Sequence, residues 1–320
     1  MKKKLLLILL AISLLVIAAC DDGAGTTPGG QTGFVGGTKG IDVTFVTNAP
    51  PERVADQGQE EFEVVVELTN KGEHEVLKED VFVTLEGFSA SAFGITNEDL
   101  TAHPEDDLFP VRKSPDGSVI SSPAIPVVFS GLSYQDDSPA NTRFTFRAKT
   151  CYKYETIALS NICVKENFND DRPGDLCQVS ATRTVSNSGA PVQITSVRQA
   201  PQGRDKTSVT FAIQQRDTNT AGKVSRPDTG CDVTQQNENR VFVSVSGLEE
   251  GAGDLVRCIG LIGGDSSSGY VTLTKNQPRE VSCTVELENR NTRVQPFRIT
   301  VGYDYSTYTD KDVIVVYTPN

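Results

Sequence analysis

The stretch RAKTCYKYETIALSNICV, residues 147–164, aligns without a gap on RITVGYDYSTYTDKDVIV, residues 298–315. In both, apolar and aromatic side chains fall on alternate positions, the period of a half-buried strand and not of a helix. Each copy holds a Tyr-x-Tyr pair, Tyr152 with Tyr154 and Tyr303 with Tyr305. A two-residue period places both rings of a pair on one face. Exposed, such rings would stack on sugars or anchor a protein. Buried, they would pack inside a sandwich and hydrogen-bond through their hydroxyls at a strand corner. Their recurrence in both copies favours packing.

Two more segments recur in the same order, at a separation of about 150–160 residues. VTFVTNAP (43–50) matches ITSVRQAP (194–201), and EDVFVTLEGF (79–88) matches NRVFVSVSGL (239–248). A repeat of this kind predicts two copies of one domain, at 41–166 and 179–320, with 167–178 as a hinge. Other alternating runs, such as FEVVVEL (62–68) and VTFAI (209–213), add strands, and Gly, Pro, Asn and Asp clusters punctuate them. The clearest helical prospect is a single turn at TNEDL (96–100), capped by Thr96. The expected fold class is therefore all-β, with two tandem immunoglobulin-like β-sandwiches, each large enough for a two-sheet core.

ELTNKGEHEV (67–76) gives a strand, an Asn-x-Gly turn and a return strand. It resembles the CARDB-type and related adhesion-associated modules of prokaryotic surface proteins, which implies a role in adhesion. The second copy departs from that pattern, since RDTNTAGKV (216–224) has its glycine displaced.

At the N-terminus Lys2, Lys3 and Lys4 precede an apolar stretch, residues 5–19, that ends on Ala18, Ala19 and Cys20. This is the layout of an export signal, residues 1–19. Fifteen residues of helix rise about 22 Å against a hydrocarbon core of roughly 30 Å, so a permanent span is disfavoured. IAAC (17–20) resembles the lipobox of prokaryotic lipoproteins, which implies that Cys20 is lipidated and becomes the first residue of the mature chain. Asp21 resembles the inner-membrane retention signal of some bacterial lipoproteins. Residues 20–40 are mostly glycine, threonine and small polar residues, too poor in apolar area to order themselves, and read as a flexible tether.

Removing the leader takes the basic residues from 30 to 27 against 42 acidic ones, a net charge of −15. Such a surface repels nucleic acid. Six cysteines remain after Cys20, an even number in an exported chain, which points to disulfides. Cys151 and Cys163 align with Gly302 and Ile314, so both are missing from the second copy together, as bonded partners would be. A turn near Ile157 would set them across a hairpin. Cys258 and Cys283 bracket the IGGDSSSG turn, which leaves Cys177 for Cys231 by elimination.

Catalytic chemistry finds little material. The chain has two histidines, His74 and His103, both in polar loops. GLIGGDSSSG (260–269) lacks the lysine and helix of a phosphate cradle and reads as a hairpin turn. No metal site or cofactor is assigned. Acid clusters at 103–109, 134–139 and 167–175 offer oxygen ligands of the kind calcium takes, and the hinge cluster is the best placed of them. Its spacing fails the EF-hand pattern, because glycine falls at Gly174 and not directly after Asp171.

The expected function is that of a non-enzymatic lipoprotein, exported and lipid-anchored at the cell envelope. It would act in envelope organisation, adhesion or surface recognition. Its partners would be membrane lipid, through Cys20, and a protein or glycan of the envelope. The alternative is a subunit of a secretion or pilus-like complex that adds a strand to a partner. An exported hydrolase ranks third.

Overall fold

The computed structural model describes residues 33–219, 221–246, 255–275 and 277–319. Cys20, the leader and most of the tether lie outside the described residues. The first half contains β1 (Ile41–Phe45), β2 (Arg53–Ala55), β3 (Phe62–Asn70), β4 (Val81–Glu86), β5 (Thr101–Ala102), β6 (Arg112–Lys113), β7 (Val119–Ile120), β8 (Ala124–Leu132) and β9 (Thr142–Val164). The second contains β10 (Ala181–Arg183), β11 (Val185–Asn187), β12 (Val192–Pro201), β13 (Lys206–Gln215), β14 (Lys223–Ser225), β15 (Arg240–Ser246), β16 (Leu255–Ile259), β17 (Ser268–Thr272), β18 (Arg279–Glu286) and β19 (Arg293–Val316). Helical content among the described residues is confined to short 3-10 turns. The fold is all-β.

The repeat is visible in the topology. β1-β3-β8 forms one small sheet, and its counterpart β12-β13-β18 runs through a five-stranded sheet that β10 and β16 extend. β4 pairs with β9 as β15 pairs with β19. The difference from the expected tandem arrangement lies in the last strand of each copy. β9 and β19 do not end two separate sandwiches; they pair with each other, antiparallel, along all 23 residues of β9. At about 3.3 Å per residue this ladder is roughly 75 Å long. It forms the spine of a nine-stranded sheet shared by both copies. Phe34–Asn320 is accordingly one compact unit, and residues 167–178 are not a hinge between two bodies.

The register gives the spine a pseudo-dyad. Tyr152 pairs with Tyr305 and Tyr154 with Tyr303, while Lys153 faces Asp304. Moving each residue by the 151-position offset from Arg147 to Arg298 exchanges the two tyrosine rungs and returns Lys153–Asp304 to itself. One face of the spine is apolar and buried: Phe146, Ala148, Ala158 and Ile162 on β9, Phe297, Ile299 and Val301 on β19. That face lies under the smaller sheets, as the edge-on contact of Phe62 with Phe146, 6.3 Å between ring centroids, shows for the first copy. A single hydrophobic cluster runs through both halves.

The disulfides differ from two of the three expected pairings. The bridges are Cys151–Cys231, Cys163–Cys177 and Cys258–Cys283. Cys151 and Cys163 cannot meet, because β9 runs straight through Ile157 and separates them by about 40 Å. Cys151 instead reaches across to the second copy, and Cys163 closes the linker onto the spine. At 96–100 the turn is 3-10, Glu98–Leu100, and Thr96 donates to Asp99 Oδ2 through N–H (2.8 Å) and hydroxyl (2.7 Å), so the side-chain acceptor is Asp99 and not Thr96.

Candidate functional site

The four spine tyrosines are buried around the pseudo-dyad. The Ile41 N–H donates to Tyr152 Oη (3.0 Å), and the repeat-equivalent Val192 N–H donates to Tyr303 Oη (3.3 Å). Tyr154 Oη donates to Asn70 Oδ1 (3.0 Å) and Tyr305 Oη to Asp217 Oδ2 (2.7 Å). Burial pushes all four phenols up from their ordinary range, and neighbouring acidic groups add to this. Rings placed this way serve packing and not ligand stacking. The displaced glycine of the second copy also finds its role here. Gly72 lies against Tyr154 Oη and Gly222 against Tyr305 Oη, so close that a Cβ at either position would overlap the hydroxyl.

The opposite face of the spine is partly open. Over its centre, residues 226–231 are held by Asp304, whose buried carboxylate accepts the N–H groups of Asp228 (3.1 Å), Thr229 (2.8 Å) and Cys231 (3.3 Å). The Cys151–Cys231 bridge pins the same segment. Two clefts flank it. One, about 150 Å³, is lined by Glu79, Asp80, Phe82, Lys153 and Asp228. The other, about 160 Å³, is lined by Glu86, Arg147, Lys149, Lys223, Val233 and Tyr308. Their charges are largely paired: Lys153 with Asp228 (2.6 Å), Lys149 with Glu86 (3.6 Å) and Arg147 bidentate with Asp310 (2.8 and 3.0 Å). The Arg147 guanidinium also lies 3.8 Å from the centre of the Tyr308 ring. These clefts present a mixed polar and aromatic surface rather than converging acid, base and nucleophile.

The carboxylates of residues 167–178 do not fit calcium, because cations and amides already hold them. Lys165 Nζ, nearly buried, donates to Asp171 Oδ1 (2.9 Å) and Asp175 Oδ2 (2.7 Å), and Arg172 makes a bidentate pair with Asp170 (2.7 and 2.9 Å). Burial tends to raise the Asp171 carboxyl, but hydrogen bonds from Lys165 and from the Ser180 and Val179 N–H groups hold it down at about 2. Among the described residues no group of three or more His, Cys, Asp or Glu side chains is arranged to hold a metal ion. His74 packs edge-on against Tyr154, 5.2 Å between centroids, and burial lowers its pKa. His103 Nδ1 contacts Val81 O at 2.7 Å, with the ring beside Phe82. The two imidazoles are in separate surroundings.

The sheet edges bear on strand addition. β8 is the outer strand of its sheet, whereas the repeat-equivalent β18 is covered by β16. Pro126 removes a donor from β8, and a register irregularity with Gly131 in the left-handed region bends its end. Both features blunt an edge against pairing.

Three disulfides indicate a chain that folds in an oxidising space outside the cytoplasm. No helix among the described residues is long and apolar enough to cross a membrane. No family model and no curated protein matches the chain. Among solved structures, the secreted serine protease VesC from Vibrio cholerae matches at TM-score 0.18 and 9% identity over 82% of this chain, which spans about half, 50%, of the VesC chain. The serine-rich repeat adhesion glycoprotein Srr1 from Streptococcus agalactiae matches at TM-score 0.15 and 10% identity, covering 87% of this chain and 96% of that one. At such scores neither likeness carries an argument.

Proposed function

We propose that this protein is a non-enzymatic lipoprotein, anchored at the cell envelope through acylated Cys20, whose rigid all-β body is displayed for envelope organisation, adhesion or surface recognition. The observation that carries this reading is the set of three disulfides in a body that begins, at Phe34, shortly after the lipobox-like IAAC and its cysteine. The spine adds support. A 23-residue ladder bridged between copies by Cys151–Cys231 is suited to bearing a surface. Strand addition to an envelope complex is the weaker reading, since β8 is blunted by Pro126 and its bend.

The test is metabolic labelling with an alkyne fatty acid in cells expressing the full chain and its Cys20→Ser variant. The reading expects label and membrane retention in the parent chain and loss of both in the variant. An unlabelled parent in the soluble fraction would overturn it.

A further inference from the structure

Of the two clefts on the open face, the one beside Tyr308 carries residues that the fold does not require. The molecule supplies its own control, because the pseudo-dyad builds the same place twice. Moved by the repeat offset, the Lys149–Tyr308 rung becomes Thr300–Ile157, and the Arg147–Asp310 rung becomes Arg298–Leu159. Ser306 corresponds to Glu155, and Lys223, next to Gly222, corresponds to Glu73, next to Gly72. One place thus holds two lysines, an aromatic ring and a hydroxyl where the other holds threonine, isoleucine and two carboxylates. Packing of the repeat does not account for them.

Ladder register gathers these side chains. Lys149 lies opposite Tyr308 and Lys223 opposite Ser306, so the four project from one face of three adjacent strands, β9, β19 and β14. Between them is the cleft of about 160 Å³. At roughly 30 Å³ for each water of the liquid, it has the space of about five waters, enough for one sugar ring. Ser306, 4% exposed, lines it, and its hydroxyl makes no hydrogen bond among the described residues. A hydroxyl set so deep is unfavourable without a partner. Lys223 is exposed and makes no ion pair among the described residues. Lys149 has a loose, solvent-exposed contact with Glu86, which is worth little. With Arg147 and its partner Asp310 counted, three cations stand against two carboxylates, a local excess of positive charge on a strongly acidic chain.

We propose that this cleft binds an acidic sugar, one hexuronate unit of a glycan, with its carboxylate between Lys149 and Lys223, a ring hydroxyl on Ser306 and its C–H face against the exposed part of the Tyr308 ring. This names a ligand class for the surface-recognition reading above, on which it rests, but it does not depend on acylation of Cys20. The chemistry favours a sugar over an acidic peptide. At Lys149 and Ser306 the backbone is already paired on both sides, by β4, β9, β19 and β14, so an extended peptide finds no free ladder on the cleft floor. What the cleft presents is cations, a hydroxyl and a ring, which match a carboxylate, a sugar hydroxyl and the apolar face of a pyranose.

The full chain in detergent, disulfides intact, would be titrated calorimetrically with oligogalacturonate and oligoglucuronate, with neutral oligogalactose, with inorganic phosphate and with a polyglutamate peptide. The proposal expects at least one oligouronate to bind, more tightly than the other three probes and more weakly as salt is raised. Lys149→Ala, Lys223→Ala and Tyr308→Ala should each weaken that binding several-fold, and the double lysine variant should lose it. Lys206→Ala, at an exposed lysine on β13, should leave it unchanged. Thermal unfolding checks that each variant is folded. No binding of either oligouronate, equal binding of oligogalactose, or binding that the cleft variants leave intact overturns the proposal. Tighter binding of polyglutamate or of phosphate also overturns it, and assigns the cleft to an acidic protein or a free anion. An unlabelled Cys20 would leave these titrations unaffected, so failure of the lipid anchor and failure of the sugar site are read separately.

Discussion

Lys153 and Asp304 face each other on the central rung of the spine, the pair that the repeat's pseudo-dyad leaves in place, yet they do unequal work. Asp304 is buried and accepts three backbone N–H groups, whereas Lys153 makes an exposed pair with Asp228. Asp304→Ala should cost about 2–4 kcal/mol, because it leaves those donors without an acceptor. Lys153→Ala should cost less than about 1 kcal/mol. Urea unfolding with disulfides intact compares them, and equal losses would contradict this assignment.

Gly222→Ala should destabilise strongly, since the new methyl meets the Tyr305 ring and hydroxyl, and Tyr305→Phe should restore part of the loss. Gly72→Ala should not be rescued by Tyr154→Phe, because the Gly189 carbonyl blocks the same space. Two double-mutant cycles check this, with coupling expected in the second copy alone.

The disulfides should contribute unequally. Cys151–Cys231 joins residues 80 apart and Cys163–Cys177 residues 14 apart. Loop-entropy arithmetic gives about 4.5 and 3 kcal/mol respectively. Serine replacement of each pair, followed by thermal unfolding, should rank them in that order. Non-reducing peptide maps should show these partners, and a Cys151–Cys163 peptide would refute the spine.

Asp171 is held at about 2 against an ordinary 3.8, a depressed carboxyl. Its contribution is therefore complete above about pH 4 and is lost as the pH falls toward 2. Asp171→Asn should flatten the acid limb of a stability profile within that window and lower stability above it. An unchanged profile would count against the Lys165 cluster.

The strands and the repeat were legible because a two-residue period survives without a gap across 147–164 and 298–315. The pairing of those segments with each other was not, since a period of two is met equally by a partner in the same copy or in the other one. Length carried the missed signal: an alternating run of eighteen residues far exceeds the usual five or six of a strand, and a spine accounts for it. A turn at Ile157 would bring Cys151 toward Cys163, but β9 continues unbroken through that residue and keeps the two thiols apart. The recurrence of Tyr-x-Tyr in both copies points to packing, and all four rings are buried. The loop over Asp304 had no sequence signature, since its amides recognise a carboxylate 75 residues away.

The chemical state of the protein recovered from cells tests the lipid anchor and the disulfide set together. Mass spectrometry of detergent-extracted chain should find an N-terminal peptide that starts at acyl-modified Cys20, with the other six cysteines oxidised as Cys151–Cys231, Cys163–Cys177 and Cys258–Cys283. A chain that still begins at Met1, or one with Cys20 unmodified and free thiols in the body, would contradict it.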